Sequence, residues 1–393
     1  MPLTCQKDAF ALDPGVHYLN GAAYSPALNR SVEKAWEGLH LKSVRPYAIR
    51  PGDHFDTADR VRGLFSELVR AGDPERVALI PAVSYGMAIV AQNLHRLPEM
   101  AAKRHIILIG EEFPNNVYAF ERVAAALGLR VRTVEKPDSL VERGDRWNER
   151  LLEAVTPETA LVVAPQVHWI YGTVFDLEAL GQRCRDAGAL LAVDATQSVG
   201  IMPIDVGAIR PDALLCAAYK WLLGPYGTAI GYFGPFFDDG VPIEEGWMNR
   251  VESEQFARLT RYERAYRPKA QRYNAGEYSQ FMQLPMLEEA LRQLLEWGAG
   301  DMQAYCRALS APAIPEWESA GCILETPARR AGHLFGVLLP GHIEPARLLA
   351  LLAERRIFAS LRGGAVRISP NVYNDQKDLD VLTEALLATV HST

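Results

Sequence analysis

The sequence predicts an α/β protein in which a mostly parallel sheet of seven strands, flanked by helices, is followed by a smaller α+β part. From about residue 77, short apolar runs alternate with longer helical patterns, which is typical of a parallel sheet wrapped by helices. After Phe233 the alternation gives way to a turn-rich stretch at 234–247. The chain has 393 residues, more than one compact core usually holds, which favours two domains.

Seven apolar runs are the candidate strands of the sheet. They are Val77–Ile80, His105–Ile109, Val131–Val134, Ala160–Ala164, Leu190–Val193, Ala213–Cys216 and Thr228–Phe233. Two of the helical patterns between them are Tyr118–Leu127 and Asp176–Ala187. Asp176 is a candidate N-cap of the second helix, and Gly188 closes it.

The turn-rich stretch predicts a domain boundary near residue 245. We expect a large α/β domain over 17–245 and a smaller α+β domain over 246–393, with residues 1–16 packing on the smaller one. The elements expected in the smaller domain are helices at Leu284–Trp297, Pro345–Arg355 and Leu379–Val390 and strands at Leu334–Leu338 and Val366–Ile368.

The composition excludes several classes of protein. The net charge of -7 and the lack of basic runs argue against nucleic acid as a partner. No apolar run approaches the roughly 18 residues that cross a bilayer, and the N-terminus lacks a signal-peptide pattern, so we expect a cytoplasmic protein without a membrane partner. The five cysteines form no Cys-x-x-Cys pair and the nine histidines no paired-ligand spacing, so neither a disulfide framework nor a metal site is expected.

Two residues indicate the chemistry. Lys220 is the one charge in the apolar run Leu214–Leu223, 26 residues after Asp194. A lysine amine in apolar surroundings is less readily protonated, so it can act as a nucleophile and form a Schiff base. An aspartate at the end of a buried strand can keep a pyridine nitrogen protonated. The pair indicates a pyridoxal 5'-phosphate (PLP) enzyme, although each residue alone also fits a snorkelling lysine or a helix cap.

Three further segments fit the same cofactor. The run Ile80–Gly86 predicts a strand, a tight turn and a helix N-terminus that can bind phosphate, with Ser84 adding a hydroxyl, although a plain helix cap has the same pattern. Phe113 follows a predicted strand and can stack on a planar ring, or it can belong to the core. Gln197 lies three residues beyond Asp194, so both side chains can reach one ligand.

The chain resembles the class V aminotransferases, a superfamily that also contains cysteine desulfurases, kynureninases and isopenicillin N epimerase-like enzymes. The resemblance runs from about residue 17 to about residue 385 and is most specific between Asp194 and Lys220. It implies PLP fold type I. The segments that carry it are Tyr18–Pro26, Glu112–Asn116, Val193–Gly200, Tyr219–Lys220 and Val366–Pro370.

The resemblance also implies roles for individual residues. Lys220 would be the Schiff-base lysine and proton shuttle, Asp194 the partner of the pyridine nitrogen and Gln197 the partner of the phenolic oxygen. Arg367 would grip the α-carboxylate of the substrate with its planar fork, unless it is a surface arginine in a short strand. The other residues expected at the cofactor are Val83, Ser84, Phe113 and Tyr219.

The same resemblance implies a homodimer with shared active sites. The segment Arg272–Ser279 looks like the loop, containing Gly276, that reaches the phosphate in the second subunit. Glu277 departs from the pattern, because many relatives have a threonine there and a carboxylate repels phosphate. Either backbone amides near Gly276 and Tyr278 bind the phosphate, or this contact is lost.

The sequence restricts the type of reaction less than it restricts the cofactor. The stretch Ser360–Ala365 contains no cysteine, which argues against a cysteine desulfurase, and Trp169 stands where desulfurases offer an asparagine. We expect aminotransferase-like or β-eliminating chemistry on an L-amino acid. Epimerisation, racemisation or decarboxylation in the same family, or a silent PLP-binding regulator, are the alternatives. The candidate substrate-pocket residues are Tyr24, His168, Trp169 and Tyr171, with His168 more a loop hydrogen-bonder than a catalyst.

Overall fold

The structure is a computed structural model that describes residues 2–139 and 142–391. Its strands are β1 (His17–Tyr18), β2 (Val77–Ile80), β3 (His105–Ile109), β4 (Arg130–Val134), β5 (Thr159–Pro165), β6 (Leu190–Asp194), β7 (Ala213–Ala217), β8 (Ala229–Phe233), β9 (Phe335–Val337), β10 (Ile357–Phe358), β11 (Ser360–Arg362) and β12 (Ala365–Ile368). Its α-helices are α1 (Asn29–Val44), α2 (Asp56–Leu68), α3 (Val83–Asn93), α4 (Tyr118–Leu127), α5 (Arg143–Ala154), α6 (Leu177–Asp186), α7 (Val206–Ile209), α8 (Gln283–Trp297), α9 (Ala299–Ser310), α10 (Ala313–Ser319), α11 (Pro345–Glu354) and α12 (Gln376–His391).

The central sheet has seven strands in the order β2-β8-β7-β6-β5-β3-β4. Strand β8 runs antiparallel to both of its neighbours, and every other adjacent pair is parallel. Each of the seven predicted strands is present, with each end within one residue of its predicted position. The predicted mostly parallel α/β sheet is therefore confirmed.

Both faces of this sheet are buried, which explains why its strands are continuous apolar runs. In β3, Ile107 and Ile109 belong to one hydrophobic cluster. Ile106 and Leu108 belong to another. Because successive side chains in a strand point to opposite faces, the two clusters lie on opposite sides of the sheet, as in α/β proteins with helices on both faces.

The N-terminal segment packs against the C-terminal part of the chain. Strand β1 pairs in parallel with β10, and the His17 ring contacts Asp378 at 2.6 Å. The backbone N–H of Gln6 donates to the carbonyl of Val372 at 2.7 Å. The C-terminal part also contains a three-stranded antiparallel sheet in the order β11-β12-β9. The packing of residues 1–16 on a separate smaller domain stays a prediction.

The stretch just beyond residue 245 stays close to the large sheet. Asn274 accepts the backbone N–H of Leu79 through Oδ1 at 2.8 Å, and the N–H of Ala275 donates to the carbonyl of Leu79 at 3.0 Å. This segment therefore covers the free edge of β2. The domain bounds of 17–245 and 246–393 stay a prediction. Over the described residues, no helix combines the length and the apolar character that crossing a membrane requires.

Candidate active site

Asp194 and Lys220 come together at one edge of the large sheet. Asp194 is the last residue of β6, and Lys220 lies in the turn that follows the adjacent parallel strand β7. Ligands of open α/β sheets bind at this carboxyl edge. A cavity of about 170 Å³ lies there. Seven of the predicted site residues line it, namely Val83, Phe113, Trp169, Asp194, Gln197, Tyr219 and Lys220.

The Lys220 side chain is buried, and its amine faces the cavity without a hydrogen bond or ion pair to any residue that the structure describes. The amine lies 5.5 Å from the ring centroids of both Phe113 and Tyr219. Burial lowers the pKa of Lys220 to about 8, against the opposing charge of Asp194 and with the help of Arg367. At pH 7 about a tenth of the amine is therefore unprotonated, far more than for an ordinary lysine, and this fraction is available as a nucleophile.

The Asp194 carboxylate is fixed by two donors. Its Oδ2 accepts from Nδ2 of Asn116 at 2.7 Å, and its Oδ1 accepts from the backbone N–H of Thr196 at 2.9 Å. Because each carboxylate oxygen accepts one hydrogen bond, the orientation of the carboxylate plane is fixed. Each oxygen keeps a lone pair, so the group can still accept a proton-bearing ring nitrogen from a ligand in the cavity.

Gln197 is held by its neighbours but keeps one free donor. Its Oε1 accepts from Nε1 of Trp221 at 2.8 Å, and its Nε2 donates to the carbonyl of Ala22 at 3.2 Å. The backbone carbonyl of Gln197 lies 2.7 Å from Nε2 of His333. An amide nitrogen carries two hydrogens, so one of them is left to donate to a ligand oxygen.

Two aromatic residues form one wall of the cavity. The rings of Phe113 and Trp169 meet edge to face, with centroids 5.4 Å apart and planes at 85°. Nε1 of Trp169 donates to the backbone carbonyl of Glu111 at 2.8 Å, which fixes the indole. This wall offers a rigid apolar surface to a planar ligand.

A helix N-terminus opens at the other end of the cavity. Helix α3 begins at Val83 with Ala82 at its N-cap, and no side chain caps it. Its first N–H groups are therefore free to bind an anion. Val83 lines the cavity, whereas Ser84 is exposed on the first turn and does not line it. A Cβ on Gly86 would lie 2.6 Å from Cδ2 of Leu215, so Gly86 serves the packing of α3 on β7.

Arg367 is a buried cation that pairs with no carboxylate in the part of the chain that the structure describes. It lies in β12, its Nη1 donates to the carbonyl of Trp169 at 3.0 Å, and its Nε has no hydrogen-bond partner among the described residues. Burial and, to a smaller extent, the nearby charge of Arg362 together lower the pKa of Arg367 to about 10. The guanidinium is still cationic at neutral pH, so it can pair with an anionic ligand group.

Three of the four candidate substrate-pocket residues do not line the cavity. His168 is buried, lies 3.3 Å from the carbonyl of Gly110 and stacks on Tyr171 at 5.3 Å. Burial lowers its pKa to about 4, which keeps the imidazole neutral. Tyr171 donates to Oε2 of Glu111 at 2.6 Å. Tyr24 is exposed and packs on Tyr219, with centroids 5.2 Å apart.

The loop around Gly276 is also separate from the cavity of its own chain. Gly276 has φ +53 and is exposed, and its N–H donates to the Glu244 carboxylate. The Glu277 side chain next to it is exposed as well. None of residues 272–279 lines the cavity of its own chain.

Sequence reasoning missed several residues that the structure brings to the site. Thr228 and Tyr226 line the cavity, as does Glu112. Asn116 lies behind Asp194 and bonds to it. Glu112 and Asn116 stand in a segment that the resemblance had singled out, but only Phe113 in that segment was given a role. No group of three His, Cys, Asp or Glu side chains within 2–139 and 142–391 is placed to hold a metal ion.

The chain is similar to known proteins of one enzyme family. The family model for aminotransferase class-V matches residues 50–382. The chain is 26% identical over 372 residues to the uncharacterized aminotransferase YcbU of Bacillus subtilis, covering 94% of this chain and 93% of that protein. It is 26% identical over 337 residues to the isopenicillin N epimerase of Amycolatopsis lactamdurans, covering 80% of each. A solved structure of an apo cysteine desulfurase from Thermococcus onnurineus NA1 superposes with a TM-score of 0.83 at 18% identity, covering 100% of this chain and 99% of that one.

The residues at the cavity fit the cofactor that this family uses, pyridoxal phosphate. The amine of Lys220 has no partner among the described residues, the carboxylate of Asp194 ends a buried strand, and helix α3 presents free N–H groups beside the cavity. These are the three groups that a carbonyl carbon, a pyridine nitrogen and a phosphate require. With the match of the family model over most of its length, this chain belongs to the class V aminotransferases, PLP-dependent enzymes of fold type I.

Proposed function

We propose that this enzyme acts at the α-carbon of an L-amino acid through a Schiff base at Lys220, and that its reaction is a transamination or a β-elimination. The observation that carries the proposal is the buried, unpaired amine of Lys220 in a cavity that also contains Asp194 and is flanked by the unpaired cation of Arg367. Pyridoxal phosphate, when bound, stores the electron pair released at the α-carbon.

The residues around Lys220 divide the binding of the cofactor between them. Asp194 accepts the hydrogen bond of the pyridine nitrogen, and the second amide hydrogen of Gln197 serves the ring oxygen. Phe113 covers one face of the ring, with Tyr219 at the border of the cavity. The N-terminal turn of α3, at Val83 and Ser84, binds the phosphate.

The substrate is held on the side of the small sheet. Arg367 pairs with its α-carboxylate, a contact that suits the planar fork of a guanidinium. Trp169 forms the wall for the side chain and, like Tyr171, is bonded to Glu111. His168 stacks on Tyr171, and Tyr24 packs on Tyr219. The proposed specificity is therefore for an amino acid with a free carboxylate and a side chain that packs on indole.

Lys220 moves the proton that decides the reaction. Its amine, once free, takes the proton from the α-carbon of the substrate. Transamination and epimerisation differ in the place to which Nζ returns the proton. In β-elimination a substituent leaves the β-carbon. The pKa of about 8 places the amine close to neutral pH, where a base is able both to take and to return a proton.

Persulfide chemistry is not part of the proposal. The loop at 360–365 has no cysteine. Cys306 and Cys322 are buried, and burial raises the pKa of each thiol, to about 11 for Cys322. A buried thiol with a raised pKa is a poor nucleophile.

We also propose that the chain works as a homodimer. Members of this family act on small amino-acid substrates and are often dimeric. The exposed loop at Gly276 and Glu277 lies apart from the cavity of its own chain, as expected of a loop that serves a neighbouring subunit. Helix α1 carries the large exposed residue Trp36 and Tyr47 follows the helix, both of which a second subunit can cover.

A borohydride experiment tests the central claim. The protein is reduced, digested and analysed by mass spectrometry, and we expect a pyridoxyl adduct on Lys220. Lys220→Ala should carry no adduct and have no activity. Lys103→Met is the matched control, because the amine of Lys103 is engaged with two backbone carbonyls, and it should keep the adduct on Lys220. An adduct at another residue, or none, would refute the assignment.

A panel of L-amino acids then separates the reactions. Transamination yields the aminated cofactor, and β-elimination yields pyruvate and ammonia, with sulfide from a thiol-bearing substrate. A silent PLP-binding regulator predicts a visible spectrum that no amino acid changes. A spectrum that changes with none of the amino acids would therefore favour the regulator over the enzyme.

A further inference from the structure

A carboxyl group without an assigned role borders the cavity. Glu112 is buried in the segment between β3 and α4, and its side chain lines the same cavity as Asp194 and Lys220. Its Oε1 accepts the backbone N–H of Phe113 at 2.6 Å. Its Oε2 is buried, and no group within the described residues makes a well-formed hydrogen bond to it.

The side-chain amide of Asn116 lies between Glu112 and Asp194. Its Nδ2 donates to Oδ2 of Asp194 at 2.7 Å, and the amide also interacts with the Glu112 carboxyl. Its Oδ1 is buried without a donor from any described residue. The backbone N–H of Asn116 donates to the carbonyl of Phe113 at 2.8 Å, so a tight turn holds the two groups in place.

Two buried oxygens of interacting side chains, Oε2 of Glu112 and Oδ1 of Asn116, therefore both lack a donor among the described residues. A proton on Oε2 of Glu112 would give both oxygens a hydrogen bond, because a neutral carboxyl is a donor and the amide oxygen of Asn116 is an acceptor. An unsatisfied buried polar atom is costly, which favours this arrangement over two unpaired acceptors.

The charges near Glu112 also favour the neutral form of its carboxyl group. Burial and, to a smaller extent, the carboxylate of Asp194 together raise the pKa of Glu112 to about 8, against the backbone N–H of Phe113 and the nearby side-chain amide of Asn116. The one charged group among the described residues that acts on Glu112 in this way is Asp194, and no cation offsets it. Two carboxylates on either side of one amide would repel each other in a medium of low dielectric constant.

We propose that Glu112 is a positioning residue, which as a neutral acid donates from Oε2 to Oδ1 of Asn116 and thereby fixes the amide that hydrogen-bonds Asp194. Through Oε1 the same carboxyl holds the backbone at Phe113. Glu112 thus sets two parts of the site at once, the aromatic wall and the orientation of Asp194, and leaves Asp194 as the single negative charge. The task of Asp194 at the pyridine nitrogen rests on the proposed function, whereas the protonation of Glu112 and its contact with Asn116 do not.

The test compares three variants as full-length proteins matched for cofactor content. Glu112→Gln keeps the shape, the acceptor for Phe113 and a donor for Asn116, but cannot ionise. Glu112→Met keeps the approximate size without either function. Glu111→Gln is the control, because Glu111 is the neighbouring carboxylate, paired with Lys136 and Tyr171, which lower its pKa.

Infrared spectroscopy gives the first readout. At neutral pH the unaltered protein should show the C=O stretch of a buried protonated carboxylic acid, sensitive to D2O. Glu112→Gln should lose this band, and Glu111→Gln should keep it. If the band is absent from the unaltered protein, or persists in Glu112→Gln, Glu112 is not the neutral acid and the proposal is wrong.

The pH dependence of stability gives the second readout. Between pH 4.5, the ordinary pKa of the side chain, and about 8, the unfolded chain loses the Glu112 proton while the folded chain keeps it. The stability of the unaltered protein relative to Glu112→Gln should therefore fall steadily as pH rises through this window. Glu111, with its lowered pKa, should give a difference that is constant over the same window. A constant difference for Glu112→Gln would overturn the proposal.

Cofactor binding gives the third readout, by rescue. Glu112→Met should raise the Kd for pyridoxal phosphate roughly tenfold or more, about the effect of one lost hydrogen bond. Glu112→Gln should restore it to within about twofold of the unaltered value. Equal losses in both variants would show that a donor at this position does not matter. The first two readouts need no turnover, so they are distinct from a failure of the Lys220 adduct.

Discussion

The buried amine of Lys220 should make the cofactor-free protein less stable than it would be without that amine. In the folded state its pKa is about 8, against 10.5 for an unburied lysine. Folding at neutral pH therefore places an ammonium ion where no described residue pairs with it. Replacing Lys220 with Met removes this charge and keeps a flexible apolar side chain of similar length.

The size of the effect follows from the two pKa values. The difference of 2.5 units between 10.5 and about 8 corresponds to about 3 kcal/mol, at about 1.4 kcal/mol per unit. Below pH 8 both states bind the proton and the full cost is present. Above pH 8 the folded state releases its proton first, so the unaltered protein gains stability, and the cost vanishes above pH 10.5. Lys220→Met should thus be more stable by up to about 3 kcal/mol at pH 7, with a smaller gain at pH 9.

Lys103→Met is the control of opposite sign. Lys103 is another buried lysine whose pKa burial lowers, but its amine donates to the carbonyls of Pro157 at 2.9 Å and Ala187 at 3.0 Å. Methionine at this position leaves two carbonyls without a donor. The variant should lose about 1–3 kcal/mol at neutral pH, because an unsatisfied buried acceptor costs about that much.

Urea denaturation of the cofactor-free proteins, followed by circular dichroism between pH 6 and pH 9 at intervals of about one unit, measures both variants over the range in which Lys220 titrates. The reasoning is refuted if Lys220→Met is destabilised as Lys103→Met is, or if its advantage does not shrink as pH rises above 8.

Two further predictions concern the substrate cation and a helix cap. Arg367→Ala should raise KM for carboxylate-bearing substrates by an amount equivalent to about 2–5 kcal/mol. Arg367→Lys should recover part of this loss, and Arg362→Ala, on the neighbouring strand, should change KM far less. An unchanged KM in Arg367→Ala would remove Arg367 from the site. Asp176→Ala should lower the free energy of unfolding by about 1 kcal/mol, because Oδ1 of Asp176 accepts the N–H of Ala179 at 3.0 Å, whereas Glu178→Ala on the same turn should change it little.

The sheet could be predicted closely because its strands are buried on both faces. Strand β5 is buried at all seven residues, so no polar side chain interrupts the apolar run in the sequence. Helix α6 could be predicted equally well, because the sequence contains both the Asp176 cap and Gly188. In the structure Asp176 caps the first turn. Where burial and capping both leave a mark on the residues, the sequence is enough.

Helix α1 shows why other elements could not be assigned. Its N-cap is Leu28, which offers no side-chain acceptor, and its buried residues are Ser31 and Gly38. Trp36, its largest apolar residue, is 64% exposed. Gly38 is needed because a Cβ there would lie 1.8 Å from the carbonyl oxygen of Phe281. The helix therefore has no apolar stripe on its buried side, and the pattern that reveals an amphipathic helix is missing.

The site was predictable where a residue follows a strand and less so where a loop decides the direction of a side chain. Asp194 and Lys220 follow adjacent strands, so their proximity was set by the order of the sheet. After β5, Trp169 lines the cavity while its neighbour His168 points back onto Trp147. Sequence reasoning had no means to choose between these two, because a loop has no fixed period. Asn116 was missed for a similar reason, since its partner Asp194 is 78 residues away.

The charges around the cavity explain why its two proposed ligands should be anions. Lys220 and Arg367 are buried cations, and Arg362 adds a third positive charge whose field lowers the pKa values of both. With Glu112 neutral, Asp194 is the one acidic group placed against them among the residues that line the cavity. Burial in a medium of low dielectric constant makes this excess of positive charge costly. A phosphate at α3 and a carboxylate at Arg367 offset it, so the binding of cofactor and substrate relieves a cost that folding imposes. The same excess lowers the pKa of Lys220, which links the affinity of the site for anions to the nucleophilicity of its amine.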